Sequence, residues 1–205
     1  MIVSPDGKHV YTGGDGDNGS GSIIEATILG FTRNIDGTLT QSSKIQGKDI
    51  TAAFESIVNT RFTFSPDSNF LCLISSNTDN LFVFQRSSVM GELSLIKSTS
   101  TIQFPKTIID SIDNAHGITV SPDGNNLHIV ANASDTSSND SVVIFSRAPD
   151  GSLTYQTTIY YLDNGADILF DPSRITINPS GKLLYISSDI AETISIFNRN
   201  AETGL

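Results

Sequence analysis

A short turn-forming phrase recurs four times along the chain, and this repetition constrains the fold more than any other feature. It reads SPDG at residues 4–7 and 121–124, SPDS at residues 65–68 and NPSG at residues 178–181. Its prolines are 61, 56 and 57 residues apart. Self-similarity at such a period is typical of proteins built from stacked structural repeats. We therefore interpret the chain as a tandem repeat.

A second motif follows each copy of the phrase in the same order. It consists of a phenylalanine and an arginine two residues later, at Phe31/Arg33, Phe84/Arg86, Phe145/Arg147 and Phe197/Arg199. A glycine then closes a turn, at Gly37, Gly91, Gly151 and Gly204. A catalytic group is needed once in a site, whereas this arginine occurs once in every unit. We therefore predict that it is a scaffold group that ties down a turn.

Each unit is predicted to contain four β-strands, which we name A to D. In the third unit they read ITVS, LHIVA, VVIFSR and SLTYQTT, runs rich in β-branched and aromatic residues between Gly, Pro, Asn and Asp. In the turns, Pro fixes φ and Gly accepts a positive φ. Repeated four-stranded units predict an all-β fold, a β-propeller with about four blades of four antiparallel strands. We place the blades at residues 1–50, 51–104, 105–162 and 163–205 of a single propeller segment, the last without its outer strand.

Two units carry a family resemblance. ITVSPDGNNLHIVAN…VVIFSRAPDGSLT and ITINPSGKLLYISS…ISIFNRNAETGL resemble blades of lactonase-like (6-phosphogluconolactonase-type) seven-bladed propellers, and the YVTN-type repeats of bacterial surface and secreted proteins. The resemblance implies that the chain is part of a seven-bladed or larger ring. It is specific for fold rather than for activity, because these motifs build turns. Open blade edges also predict self-association.

Composition narrows the range of partners. The chain has 12 Lys and Arg against 22 Asp and Glu, a net charge of −10. Binding to a phosphate backbone would oppose this charge, so we expect no nucleic-acid partner. No apolar run approaches the ~20 residues of a membrane span, and we expect none. A surface rich in Ser, Thr and Asn favours a location outside the cytoplasm over one inside it.

The sequence contains no cofactor motif, and we expect neither a cofactor nor a metal. Asp15 and Asp17 have the spacing of a calcium loop. However, Gly19 stands where a third side-chain ligand is needed, and Ala26 where a bidentate Glu is needed. We interpret the segment as a flexible acidic loop.

The loops divide between two faces of the predicted propeller. The A–B and C–D turns lie on one face, and the B–C loops lie on the other with the beginning of each strand A. The distance from the proline to the arginine is 28, 20, 25 and 20 residues in the four units. The additional residues fall in the B–C loops, at residues 13–22 and 132–140. Insertions on one face often mark the binding face of a repeat protein.

Basic and acidic residues stand at the beginning of strand A on that face. Arg61, His116 and Arg174 are our candidate catalytic residues, and Asp113 and Asp171 are candidate ligand-binding residues. Arg binds carboxylate or phosphate through two hydrogen bonds, and His acts as a base near neutral pH. The resemblance implies that His, Arg and acidic residues of this face open a lactone, although no family residue aligns individually. Alternatively, these groups only form hydrogen bonds around the channel.

Two functions follow. The first is a binding scaffold whose loop face contacts a protein, a glycan or a small anionic sugar-like ligand. The alternative is a hydrolase that opens a sugar lactone. The histidines of the predicted B strands, His9 and His128, are expected to be structural in both.

Overall fold

The computed structural model of the protein describes residues 1–17, 23–47, 60–76, 78–98, 111–132, 140–160 and 169–204. The chain divides into two compact units, residues 1–102 and 103–205. Each unit contains two antiparallel sheets, which we call blades and number in chain order. The protein is therefore all-β, as the strand pattern predicts.

The strands follow one another along the chain in every sheet. Blade 1 contains β1 (Ile2–Val3), β2 (His9–Asp17), β3 (Ile23–Arg33) and β4 (Leu39–Gln46). Blade 2 contains β5 (Arg61–Phe64), β6 (Phe70–Ser75), β7 (Asn80–Arg86) and β8 (Leu93–Ser98). Blade 3 contains β9 (Ala115–Val120), β10 (Asn126–Ala131), β11 (Ser141–Arg147) and β12 (Leu153–Tyr160). The described part of blade 4 contains β13 (Pro172–Ile177), β14 (Leu183–Ser188) and β15 (Thr193–Asn198).

The SPDG phrase forms the turn between strands A and B of each blade. In blade 1, the Ser4 hydroxyl accepts the His9 amide at 3.0 Å and donates to Asp6 Oδ1 at 2.6 Å, and Gly7 has a φ of +70°. The serines of blades 2 and 3 make the same bonds. In blade 4, the Asn178 side-chain oxygen accepts two amides instead. The phrase is therefore scaffold, because it satisfies backbone groups that the tight turn would otherwise leave unbonded.

Each unit has an apolar core between its two blades. We call the side of a blade that contacts the following blade its trailing face, and the opposite side its leading face. In unit 1, the trailing face of blade 1 packs on the leading face of blade 2, in a cluster that includes Tyr11, Ala26, Ile28, Phe64, Leu71, Phe82 and Phe84. In unit 2, the corresponding cluster joins blades 3 and 4 and includes Val130, Val142, Ile144, Leu184 and Ile186. Side chains alternate along each strand, so one face can be apolar at every repeat. Full burial of each large side chain contributes about 2 kcal/mol.

The repeated arginine joins consecutive blades. Arg86, at the end of β7, donates through Nη1 to the Ser68 carbonyl of its own A–B turn at 2.8 Å. Its Nη2 reaches back to blade 1, where it donates to Asp6 Oδ2 at 2.9 Å and contacts His9 Nδ1 at 2.6 Å. Its side chain is fully buried. We call this arrangement the arginine bridge.

Unit 2 repeats the arginine bridge with equivalent residues. Arg199 donates through Nη1 to the Gly181 carbonyl at 3.0 Å and through Nη2 to Asp123 Oδ2 at 2.9 Å. The second acceptor on blade 3 is the side-chain oxygen of Asn126, which occupies the position that His9 has in blade 1. The predicted scaffold role of the arginine is thus confirmed in both units, but the turn that it holds is the A–B turn of its blade. Its reach to the preceding blade was not predicted.

A second hydrogen bond crosses each interface. The Tyr11 hydroxyl donates to the Gly91 carbonyl of the next blade at 2.7 Å. His128 occupies the same repeat position in blade 3, and its Nε2 lies 2.8 Å from the Gly204 carbonyl. Both glycines lie in the C–D turn and have positive φ angles, +71° and +90°. The structural role predicted for His9 and His128 is therefore confirmed.

Candidate functional site

Arg61 and Arg174 occupy equivalent positions at the beginning of strand A. When the repeat prolines are aligned, the corresponding residue of blade 3 is Gly117, and His116 precedes it by one position. The position of His116 is taken by Thr60 in blade 2 and by Ser173 in blade 4. The candidate histidine and the candidate arginines therefore stand at adjacent repeat positions, and not at the same one.

His116 lies in a β-bulge, which the sequence did not predict. Gly117 pairs with Val130 and Ala115 pairs with Ala131, so His116 is the extra residue of β9. Blade 4 has the same bulge at Ser173, between the pairs of Pro172 and Arg174. Bulges redirect a side chain out of the regular pleat and are common beside functional sites. His116 is half-buried there.

Close packing between two strands fixes the position of the β9 bulge within unit 2. Strands β9 and β13 lie against each other. Gly117 permits this approach, because a Cβ atom there would lie 3.1 Å from the backbone nitrogen of Ile175 and 2.7 Å from a methyl group of Val130. The beginnings of these two strands, with His116 and Arg174, are thus held by backbone packing.

Asp171 joins blade 4 to blade 3 through polar contacts. It has a φ of +52°, and Asn114, at the equivalent position of blade 3, has a φ of +50°. Asn and Asp are the side chains that best tolerate this left-handed conformation. Asp171 accepts the side-chain amide of Asn132, and its own N–H donates to Asp140 Oδ2 at 2.8 Å. Part of the hydrogen-bonding capacity of Asp171 is therefore used to position the B–C side of the two blades.

The two candidate arginines make similar local contacts. Arg61 Nη1 donates to the Thr60 carbonyl at 3.2 Å, and Arg174 Nη1 donates to the Ser173 carbonyl at 2.7 Å. Arg61 is half-buried, whereas Arg174 is exposed. Arg174 borders a cavity of about 180 Å³ on the trailing face of blade 4, lined also by Ile175, Thr176, Tyr185, Ser187 and Ile194. The guanidinium of Arg174 is exposed beside this cavity, so it is accessible to an anionic group and can bind it through paired hydrogen bonds.

The remaining candidates are less defined. Asp113 lies half-buried in the turn before β9. Most of the two long B–C loops, residues 13–22 and 132–140, falls outside the described residues, as do the side chains of Asp15 and Asp17. Across the described segments, no cluster of three or more His, Cys, Asp or Glu side chains is placed to hold a metal. We also find, in the same segments, no apolar helix of the length that a bilayer crossing requires.

Four sheets of one repeat design, each with strands in chain order, define the β-propeller class of protein. A family model described as lactonase, 7-bladed beta-propeller, matches residues 62–205. The chain therefore belongs to this lactonase family. A search of curated proteins finds no significant match.

Solved structures share the fold. A 6-phosphogluconolactonase candidate from Bacteroides uniformis aligns over 100% of this chain and 51% of its own, at 24% identity and a TM-score of 0.71. A functionally unknown protein from Desulfotomaculum acetoxidans aligns over 100% and 52%, at 17% identity and a TM-score of 0.66. A second 6-phosphogluconolactonase candidate, from Bacteroides fragilis, aligns over 100% and 80%, at 18% identity and a TM-score of 0.56. The chain spans about half the length of the first two.

Proposed function

We propose that the propeller containing this chain is a hydrolase that opens a sugar lactone, of the 6-phosphogluconolactonase type. The family match over residues 62–205 carries the proposal. The bulge at His116 supports it, because a half-buried imidazole is held out of the regular pleat at the B–C end of strand A. Basic residues, Arg61 and Arg174, stand next to this position in blades 2 and 4.

The chemistry assigns one role to each kind of side chain. Neutral His116 takes a proton from a water molecule, and the water oxygen attacks the lactone carbonyl. The ring C–O bond then breaks, the ring oxygen takes up the proton, and a hydroxy acid is released. Arg61 and Arg174 bind the phosphate or carboxylate of the substrate, a contact that guanidinium groups make through paired hydrogen bonds. Asp113 and Asp171 orient the sugar hydroxyls.

The test is hydrolysis of 6-phosphogluconolactone by the complete gene product, with His116→Ala and Arg174→Ala beside it. We expect His116→Ala to lower kcat by about 100-fold or more, and Arg174→Ala to act mainly on KM. Lys182→Ala is the control, because Lys182 lies at the A–B turn of blade 4, at the opposite end of the strands. A wild-type rate equal to that of buffer, or equal rates for wild type and His116→Ala, would refute the proposal.

The binding scaffold stays a second candidate because of the B–C loops. Blades 1 and 3 have 28 and 25 residues between proline and arginine, against 20 in the other two. A loop face of this kind can contact a protein or a glycan. Replacing residues 133–139 by a loop of the length found in blade 4 would remove binding to a glycan array under this function. The same change would leave array binding unaltered if the loops have no such role.

A further inference from the structure

Asn132 contacts both candidate segments of unit 2, the one that carries His116 and the one that carries Asp171. It directly follows β10, at the B–C end of blade 3. Its N–H donates to the Asn114 carbonyl at 3.3 Å, and its own carbonyl accepts the Asn114 side-chain amide at 2.8 Å. Its side-chain amide donates across the interface to Asp171 Oδ1 of blade 4. Asn132 is therefore a junction between the two segments.

The segment that carries His116 is tied to blade 3 at two points. The Ser141 hydroxyl, in β11, donates to the Ser111 carbonyl at 2.7 Å. The paired bonds with Asn132 hold Asn114, which stands two residues before His116. The bulge that redirects His116 follows directly. The imidazole is thus held by the same blade edge that provides the Asn132 amide.

The backbone and the carboxylate of Asp171 are held by different residues. Asp140 is 1% exposed, and its Oδ2 accepts the Asp171 N–H at 2.8 Å. An acidic residue recurs seven positions before the repeated arginine in blades 2 and 4, as Asp79 and Glu192, so Asp140 is part of the repeat. It fixes the chain at Asp171, whereas Asn132 orients the carboxylate of Asp171.

The amide of Asn132 is not part of the repeat. When the repeat prolines are aligned, the other blades have an acid or a hydroxyl at this position, namely Asp15, Ser76 and Asp189. The scaffold arginine, by contrast, occurs in every blade. An aspartate in place of Asn132 would repel the Asp171 carboxylate, whereas an amide donates to it. A pairing that occurs once in the repeat is expected of a site rather than of the scaffold.

We propose that Asn132 is a positioning residue of the lactone site, which acts through Asp171. This role rests on the proposed lactone hydrolysis. The amide of Asn132 occupies Oδ1 of Asp171 and directs Oδ2 to a sugar hydroxyl of the substrate. Because the backbone of Asn132 also holds the His116 segment, substrate-orienting carboxylate and base are kept in one geometry, which is the requirement for an effective attack.

Kinetics of 6-phosphogluconolactone hydrolysis by the complete gene product test this role. Asn132→Ala removes the bond to Asp171 but keeps the backbone bonds to Asn114, so we expect KM to rise by about tenfold and kcat to change by less than about threefold. Asn125→Ala is the matched control, because Asn125 is exposed in the A–B turn at the other end of β10. We expect it to leave both constants unchanged.

A near-isosteric variant keeps the test decisive if Asn132→Ala does not fold. Asn132→Asp retains the shape of the side chain but replaces the amide donor by a carboxylate facing Asp171. We expect it to raise KM at least as much as the alanine variant. A KM equal to that of wild type would show that Asn132 only fills space, and would overturn the proposal.

The last arm distinguishes action through Asp171 from a general structural role. In the Asp171→Ala background, Asn132→Ala should change KM by less than about twofold, because the group through which it acts is already absent. The full tenfold effect in that background would overturn the positioning role and leave the lactonase proposal intact. A wild-type rate equal to that of buffer would refute both.

Discussion

The two blade pairs are joined by the same two links, but different side chains make them. In unit 1, the arginine bridge ends on Asp6 and His9, and the second link is Tyr11 to Gly91. In unit 2, the bridge ends on Asp123 and Asn126, and the second link starts from His128. The repeat therefore fixes hydrogen-bonding roles at each position, an acceptor at one and a donor at the other, and not residue identities.

The comparison also shows where the two buried histidines differ. Burial and the adjacent Arg86 charge lower the pKa of His9, whose Nδ1 faces that guanidinium. Burial lowers the pKa of His128 to about 4, against the opposing effect of its bond to Gly204. Nε2 of His128 must carry a hydrogen to donate to a carbonyl, so the neutral ring is sufficient for the link. Burial therefore favours neutral imidazole at both interfaces, and the hydrogen bonds at both are compatible with it.

The largest effect is expected from pH. The pKa of His128 is lower in the folded protein than its ordinary 6.5, so the unfolded chain binds a proton at higher pH than the native one. The free energy of unfolding is therefore unaffected by His128 above pH 6.5. It decreases as the pH falls from 6.5 towards 4, by up to about 3 kcal/mol. Urea unfolding at pH 7, 6 and 5 measures this loss. His128→Gln keeps a hydrogen-bond donor but removes the titrating group. If the free energy of unfolding falls as steeply with pH in this variant as in the wild type, His128 is not the cause of the loss.

The carboxylate of the bridge acts in a separate pH window. Burial raises the pKa of Asp6, but hydrogen bonds from Ser4 and Arg86 outweigh this effect and lower it to about 2. Its contribution is therefore present above pH 3.8 and is lost as the pH falls from 3.8 towards 2. Burial also raises the pKa of Asp123, but hydrogen bonds from Ser121, from the Asn125 amide and from Arg199 outweigh this effect and lower the pKa. Loss of stability near pH 6 therefore reports on the histidines and not on the carboxylates of the bridges.

A smaller effect is expected at the glycines of the C–D turns. Gly91 has a φ of +71°, and a Cβ atom there would lie 2.3 Å from the His9 ring. Gly37 has a φ of +85°, but no atom lies within 4 Å of its Cβ position. Gly37→Ala should cost about 1 kcal/mol from backbone strain alone, and Gly91→Ala about 2–3 kcal/mol, because the contact adds to the strain. Equal shifts of the urea midpoint for the two variants would show that the contact between blades 1 and 2 does not restrict this turn.

The fold was largely predictable because its signals are local. Proline, aspartate and glycine in one turn, followed by a Phe-x-Arg strand end, identify a repeat whatever surrounds it. The reach of Arg86 to Asp6 was not predictable, because 80 residues separate them and no local pattern connects the arginine of one blade with the turn of the preceding blade. The sequence did contain one signal of this contact, because the arginine of the Phe-x-Arg motif and the aspartate of the SPDG phrase recur together.

The candidate site was less predictable for the same reason. The bulge at His116 depends on strand pairing, and the left-handed φ of Asp171 depends on the chain entering β13. The bulge leaves no pattern in residue types, whereas Asn114 and Asp171 are residue types that tolerate the left-handed conformation at equivalent repeat positions. The family assignment of the sequence is confirmed, whereas the catalytic roles of His116, Arg61 and Arg174 stay predictions.

The central claim is that the repeated arginine is an interblade group. A double-mutant cycle of Asp123→Ala and Arg199→Ala, with the free energy of unfolding measured by urea at pH 7, tests it most directly. The two groups lie 2.9 Å apart, with the arginine side chain 1% and the aspartate side chain 34% exposed. We expect a coupling energy of about 2 kcal/mol between them. Effects that add to within about 0.5 kcal/mol would show that the arginine holds only its own turn, and would contradict the claim.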